Sequence, residues 1–320
     1  MPPTPPRLPE LRLSLARLFN LATFRDVVRH TWKYRLPNLT TGIAYLTLLA
    51  LLLGSLALLL ATGLIQPSWR SGLGSFLSQV LPVAPLTNQE AWPDSLSTGQ
   101  QQQWLILTGL LAWWAGTGAL QGLLKTLDLI HQIPINQRRS RWRGRMIAIA
   151  LALGLGLTAG LTLHLAYAGS SSIHLAAQSG ASLSLWAAIF RRLLYWLLAW
   201  GVLTATFAGL YYLGPSRWLP GTPLLPGALV AASFWIGVLA VWQRSSEPLQ
   251  TYQATFGTLG LLILLMAWVY GGLLAVLVGG QVNISVGRQR ALQAPPQMQR
   301  TVIPPSFESF TIRRRDDRLP

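Results

Sequence analysis

The chain has 320 residues, of which 51% are hydrophobic and only 11% are charged. Soluble domains carry roughly 25% charged residues, so this composition indicates a membrane protein and argues against a soluble enzyme. Cysteine is absent, which excludes disulfides, thiol catalysis and iron–sulfur clusters. The 25 Lys and Arg residues outnumber the 9 Asp and Glu residues. Such an excess fits nucleic acid or a membrane surface, and the placement of the charges decides between them.

The N-terminal segment, residues 1–38, is basic and opens with a proline-rich stretch. From Leu8 to Trp32, apolar residues recur at helical spacing with arginines between them. This pattern predicts an amphipathic helix on the cytoplasmic membrane surface, where anionic headgroups attract arginine. A solvated basic helix without lipid contact is the alternative.

Six uncharged apolar stretches follow, each about 20 residues or longer, which is the length that crosses a bilayer. We therefore predict an all-α polytopic membrane protein with six transmembrane helices and one or two interfacial amphipathic helices, the second at Ser68–Leu81. The membrane domain is residues 39–286, and the basic tail, residues 287–320, is predicted to be disordered. Gly169–Ser172 and Gln243–Gly257 are predicted loops. The six spans are Leu39–Ile65, Trp104–Leu124, Met146–Ala168, Leu193–Leu213, Leu224–Trp242 and Tyr252–Val286.

Positive charge alternates between the two sides of these spans. On one side, each terminal segment carries seven Lys or Arg residues, the loop after span two carries six and the loop after span four carries one, which makes 21. The three loops on the other side carry four in all. The positive-inside rule therefore predicts a multi-pass protein of the inner (plasma) membrane with both termini in the cytoplasm. Because the basic segments alternate with spans, we expect anionic lipid headgroups at the cytoplasmic face as their partner, and no nucleic acid.

Small residues recur at the i, i+4 spacing that lets membrane helices approach closely. The sequence therefore predicts helix-packing faces at three sets of small residues, which are Gly118 with Gly122, Gly156 with Gly160, and Gly271 with Gly279 through Ala275 between them.

Polar side chains are sparse within the spans. Those of spans one and six are candidates for a polar pathway between the two helices, and helix–helix hydrogen bonding is an equally weighted alternative. These residues are Tyr45, Thr47, Tyr270, Gln281 and Asn283.

Two titratable residues stand out. His164 lies deep in span three, where an ionisable group is a functional candidate by default. A proton relay is one reading, and a neutral histidine bonded to a neighbouring helix is the reading we adopt. Asp128 lies among cations at the cytoplasmic mouth of span two. It is expected to pair with Arg138, Arg139 or Arg141, the alternative being that it marks an entrance.

Five short motifs give the chain a family resemblance: AYLTLL at Ala44–Leu49, YLGP at Tyr212–Pro215, LPGA at Leu225–Ala228, FGTLG at Phe256–Gly260 and GGQVN at Gly279–Asn283. Over roughly residues 36–286 the chain resembles the YihY/BrkB family of bacterial inner-membrane proteins, once mislabelled as ribonuclease BN. The resemblance implies an integral envelope protein with a transport role and no agreed substrate. Gln281 stands where the family usually has glutamate, so any proton- or ion-handling by that glutamate would be absent here.

No catalytic constellation is visible in the sequence. The four histidines are far apart, and there is neither a paired acidic motif nor a phosphate-binding G-x-x-x-x-G-K-[ST] loop. We therefore predict that the protein is not an enzyme, that ribonuclease activity is absent, and that no cofactor, metal or catalytic residue is present.

The leading hypothesis is a transporter or flippase-like envelope protein that handles a lipid or an amphipathic anion without an ATPase of its own. The alternative is a structural scaffold of envelope biogenesis that acts through partner binding. The expected protein partner in either case is a second copy of the chain or an envelope-assembly protein.

Overall fold

A computed structural model describes residues 21–65, 97–178, 182–217, 222–244 and 246–293. These residues form α-helices and one 3-10 turn, Ile135–Gln137. The helices are α1 (Leu21–Lys33), α2 (Leu36–Ile65), α3 (Thr98–Ile130), α4 (Arg141–Gln178), α5 (Ser182–Leu213), α6 (Leu225–Arg244) and α7 (Ser246–Gln293).

The predicted all-α membrane fold is confirmed for these residues. Helices α2, α4, α5 and α7 are long and apolar enough to cross a membrane, and α6 has a shorter apolar stretch, Leu225–Val241. Helix α3, which holds predicted span two, is not among them. Its tryptophans and glutamines are less hydropathic than the leucines that dominate α2. Among the described residues, length and composition alone therefore give four spans, and the predicted count of six is not confirmed.

Several boundaries differ from the sequence-based ones. The predicted loop at Gly169–Ser172 is helical, because α4 continues to Gln178. Most of the predicted loop before span six is helical as well, and α7 is kinked at Gly257, whose φ of 64° and ψ of −161° suit glycine alone. Helix α7 also continues past Val286 to Gln293. The second interfacial helix and most of the two terminal segments lie outside the described residues.

Helix α3 begins with a capping box that fixes its start. The hydroxyl of Ser97 accepts a 3.3 Å hydrogen bond from the backbone N–H of Gln100, and the Gln100 side chain accepts a 3.1 Å bond from the N–H of Ser97. These bonds satisfy two backbone donors that a helix start otherwise leaves without partners.

Neighbouring helices pair along the chain: α2 with α3, α4 with α5, and α6 with α7. Helix α7 also contacts α1, α2 and α3, which makes it the centre of the bundle. The α2–α3 pair is antiparallel, since Gln101 bonds the carbonyl of Leu60 at one end and Gly122 lies against Ile43 at the other.

Burial is concentrated at one end of the bundle, which we call the basal end. It holds α1, the α3–α4 loop and the α5–α6 loop. The main hydrophobic core lies there, built around Leu36, Leu127, Leu210, Tyr211 and Leu277. The helix surfaces beyond it expose many large apolar side chains, as a lipid-facing surface does.

Candidate functional site

Gly279 lies where α5, α6 and α7 meet, at the basal end. A Cβ atom on Gly279 would lie against the Tyr211 hydroxyl and 2.6 Å from the carbonyl oxygen of Gly227. Because real Cβ atoms do not approach backbone that closely, a residue without a side chain is required for α6 and α7 to touch here. The buried Tyr211 hydroxyl donates a 2.6 Å hydrogen bond to the carbonyl of Val276, which attaches α5 to α7.

Asn283 uses this close approach to cap the start of α6. Its Oδ1 accepts a 2.6 Å hydrogen bond from the backbone N–H of Gly227, in the first turn of that helix. Helix starts leave such N–H groups without intrahelical partners, and Pro226 has no N–H to offer. A side chain of α7 therefore supplies the N-terminal cap of α6.

Asn283 and two polar residues within two positions of it on α7 are buried. Gln281, Asn283 and Ser285 are 1%, 3% and 0% exposed, and we call them the α7 polar cluster. Among the described residues, Gln281 Oε1, Asn283 Nδ2 and Ser285 Oγ have no hydrogen-bond partner. All three lie within the apolar stretch Leu262–Gln289. Buried polar atoms without partners are rare and costly, so this cluster is the candidate functional site.

The other residues of the predicted polar pathway are not gathered around this cluster. The side chain of Tyr45 is 59% exposed on the outer surface of α2. Thr47 donates a 2.8 Å hydrogen bond to the carbonyl of Ile43 in its own helix. Tyr270 is half-buried and packs against a separate apolar cluster between α2 and α7.

Asp128 organises a second polar site, on the α3–α4 and α5–α6 loops. Its two carboxylate oxygens accept hydrogen bonds from the backbone N–H and the hydroxyl of Ser216, at 2.6 and 2.7 Å. Arg139 attracts the carboxylate by charge. The carboxylate thus bonds a serine directly, whereas the sequence predicted an arginine partner.

Arg139 completes this loop clamp, which consists of Asp128, Arg139 and Ser216. Its guanidinium donates to the carbonyls of Leu213 and Pro215 at 2.7 and 2.6 Å. Leu213 is the last residue of α5, where a cation is favoured by the negative end of the helix dipole. The clamp therefore fixes the α5–α6 loop to the end of α3, which is a structural role.

His131 is buried beside the clamp and was not singled out in the sequence. Its Nδ1 lies 2.8 Å from the carbonyl oxygen of Leu127, so Nδ1 carries the proton of the neutral ring. Burial lowers the pKa of His131 below 6.5, and the Leu127 bond and the Asp128 charge oppose that shift. The sequence signal was only its position three residues after Asp128.

The predicted glycine faces fall into two groups. Gly118 lies against Leu46, Gly122 against Ile43, and Gly271 against Phe234, each at an interhelical contact like that of Gly279. Gly156 and Gly160 of α4 have open space where a Cβ would lie. Exposed leucines, including Leu157 at 76%, show that this part of α4 faces away from the bundle. His164 is in the same helix, and its side chain lies outside the described part.

Known proteins resemble the chain at the family level. The family model described as Virulence factor BrkB matches residues 27–304. A protein of Bacillus subtilis (strain 168), named "Putative ribonuclease-like protein YfkH", is 26% identical over 258 residues, which cover 78% of this chain and 90% of that relative. No solved structure matches the chain. The family match extends over most of the chain and includes every motif noted above, and the chain belongs to the virulence factor BrkB family.

Proposed function

We propose that this protein is a transporter or flippase-like protein of the inner membrane, which moves a lipid or an amphipathic anion without an ATPase of its own. The observation that carries the proposal is the α7 polar cluster. Three buried polar side chains with unsatisfied atoms are retained in an apolar helix. A static apolar contact would be more stable without them, and a passage that opens at this point would use them.

The proposal includes six membrane crossings with both termini in the cytoplasm. Helix α3 runs antiparallel to α2, and its contacts extend along α2 from Leu60 to Ile43. These contacts cover most of α2, which is long enough to span a membrane. Helix α6 runs in the same way beside α7, from Gly227 against Gly279 to Trp235 against Gly272. A helix that runs antiparallel to a spanning partner is placed to cross with it. The contacts extend along most of α2 and along the first half of α6, which supports counting α3 and α6 as spans.

The basal end is where we propose that the passage opens. The apolar core at this end closes the bundle, and the α7 polar cluster lies beside it. Separation of α6 from α7 at Gly227 and Gly279 would release the Asn283 amide and expose polar atoms to a headgroup. The exposed cations of the basal end, including Arg25, Arg29 and Lys33, would attract an anionic one.

A scaffold of envelope biogenesis is the second candidate, because these exposed cations also suit an acidic partner protein. Ribonuclease activity is not proposed. Among the described residues, no group of three or more His, Asp or Glu side chains is placed to hold a metal ion. The carboxylate of Asp128 accepts hydrogen bonds from Ser216, and the carboxylate of Asp26 forms an ion pair with Arg288.

Reconstitution in liposomes tests the proposal. Fluorescent phospholipids of several headgroup classes are placed in both leaflets, and an impermeant reductant bleaches those that reach the outside. Fluorescent amphipathic anions are followed by efflux. The wild-type protein is compared with a double variant, Gln281→Met with Ser285→Ala. The matched control is Thr117→Val, which alters a partly exposed threonine bonded to its own helix.

We expect the wild type and Thr117→Val to move at least one probe class and the double variant to move it severalfold more slowly. A wild type that moves no probe would overturn transport and leave the scaffold candidate. Equal transport rates in all three proteins would show that Gln281 and Ser285 do not contribute to the passage.

A further inference from the structure

The inner face of α1 is fixed against α7. Val27 is buried between Val282 and Val286, and the Thr23 hydroxyl bonds the side chain of Gln289 at 3.0 Å. These contacts determine the rotation of α1 about its axis, and therefore which side chains face outward.

A polar network reinforces this rotation. His30 Nδ1 lies 3.1 Å from Asp26 Oδ1, and Arg288 contacts both side chains, with its NH1 3.1 Å from His30 Nε2 and 3.8 Å from the Asp26 carboxylate. Asp26, the only acid of α1, thus faces α7. The outward surface of α1 carries no negative charge as a result.

The outward face of α1 is an apolar stripe next to a basic one. Phe24, Val28 and Trp32 recur at i, i+4 and i+8 and are 66%, 40% and 71% exposed, and we call them the α1 stripe. Each is followed by an exposed cation, in the order Arg25, Arg29 and Lys33. No described part of the chain covers this face.

The stripe lies within a few residues of the bilayer. Helix α1 ends at Lys33, and the apolar stretch of α2 that is long enough to span begins at Leu36. The two are joined by a tight turn in which Arg35 has a φ of 51°. A helix this close to the start of a span has the membrane surface as its nearest apolar phase.

We propose that the α1 stripe inserts into the headgroup boundary of the membrane and that Arg25, Arg29 and Lys33 bind anionic lipid headgroups there. Insertion of an apolar face flanked by Lys and Arg is how interfacial helices bind anionic bilayers. The bound α1 would hold the end of α7 through Val27 and Arg288, so it anchors the basal end to one leaflet. This inference does not depend on transport.

Single-cysteine labelling tests the inference, since the chain has no native cysteine. Phe24→Cys, Val28→Cys and Trp32→Cys are each labelled with nitrobenzoxadiazole, and Asn136→Cys in the exposed α3–α4 loop is the control. The full-length proteins are reconstituted into phosphatidylcholine, alone or mixed equally with phosphatidylglycerol. Spin-labelled acyl chains quench any dye that enters the bilayer.

We expect the three stripe labels to be quenched severalfold more strongly than the Asn136→Cys label, and more so with phosphatidylglycerol. Replacement of Arg25, Arg29 and Lys33 by glutamine in the Val28→Cys protein should remove the phosphatidylglycerol effect. Stripe labels as unquenched as the control, or a phosphatidylglycerol effect that survives the glutamines, would overturn the proposal. The same labels can be measured in nanodiscs that hold one chain each. Loss of the quenching there would assign the α1 stripe to a contact with a second copy and would also overturn the proposal.

Discussion

At the scale of single residues, the basal end combines polar side chains that are satisfied with others that are not. Asp128 uses both carboxylate oxygens on Ser216, and Asn283 uses its Oδ1 on Gly227. Gln281 is almost wholly buried, yet its Oε1 has no partner among the described residues. Buried polar groups of the first kind stabilise a fold, and those of the second kind destabilise it.

This difference predicts opposite effects for one substitution at two glutamines. Gln281→Met removes an unsatisfied buried oxygen and should raise the free energy of unfolding by about 1–3 kcal/mol. Gln101→Met removes the 3.1 Å bond from Gln101 Nε2 to the carbonyl of Leu60 and should lower it by about 1 kcal/mol. Denaturant titration in detergent measures both. A loss of stability in Gln281→Met would mean that Oε1 has a partner in the folded protein.

His131 gives a prediction for pH. The folded protein lowers the pKa of this ring below 6.5, so the unfolded chain binds more protons as the solution is acidified. Stability from this source is complete above the unfolded pKa and is lost as pH falls below it.

We therefore expect the wild-type melting temperature to fall between about pH 7.5 and about pH 5.5 more steeply than that of His131→Asn, which keeps a donor for Leu127 but cannot be protonated in this range. Thermal melts across this range measure the slopes, and parallel slopes for the two proteins would contradict the role given to His131.

The sequence identified several of these residues but not their partners. Gln281, Asn283 and Asp128 were noted because polar groups are rare in or beside an apolar span. The bonds of Asn283 to Gly227 and of Asp128 to Ser216 join positions 56 and 88 residues apart, which depend on how the helices pack. Tyr45 was placed on a pathway because of its type, and only the rotation of α2 reveals that it faces outward.

At the scale of helices, glycine has two different roles. Gly279 lets α5, α6 and α7 meet, whereas Gly156 borders open space on α4. Both belong to runs of small residues spaced four apart, Gly271-Ala275-Gly279 and Gly156-Gly160, so spacing predicts a smooth helix face without identifying what covers it. The open face of α4 is a surface that lipid or a second copy of the chain could cover.

Alanine substitutions distinguish the two roles. Gly279→Ala places a methyl group against Tyr211 and the Gly227 carbonyl and should lower the free energy of unfolding by about 1–3 kcal/mol or more. Gly156→Ala meets no atom and should raise it by up to about 1 kcal/mol, the difference in helix propensity. Unfolding in detergent measures both changes. Equal effects at the two sites would contradict the close packing at Gly279.

Helix boundaries were predictable only where composition changes abruptly. The start of α2 and the end of α5 follow from the apolar runs that begin and end there. The segment before span six is polar but contains good helix formers, so it continues as helix up to Gly257, and a polar composition alone suggested a loop. A glycine at positive φ is the physical reason for the kink, and sequence alone does not identify which glycine adopts it.

At the scale of the whole molecule, the protein is a membrane bundle closed at its basic end. Its core, its loop clamp and the docking of α1 on α7 all lie at that end. Six crossings follow if α3 and α6 traverse the bilayer with the partners they run beside. The positive-inside rule then predicts that the basal end lies in the cytoplasm.

Cysteine accessibility in whole cells tests this topology most directly. Gly99→Cys in the first turn of α3 and Asn136→Cys beyond its end test α3. Gln243→Cys in the last turn of α6 and Arg217→Cys before its start test α6, and the cysteine-free parent is the blank. We expect an impermeant maleimide to label Gly99→Cys and Gln243→Cys in intact cells, and Asn136→Cys and Arg217→Cys only after permeabilisation. Labelling of both members of a pair from the same side would show that the helix between them does not cross, and the six-span bundle would be contradicted.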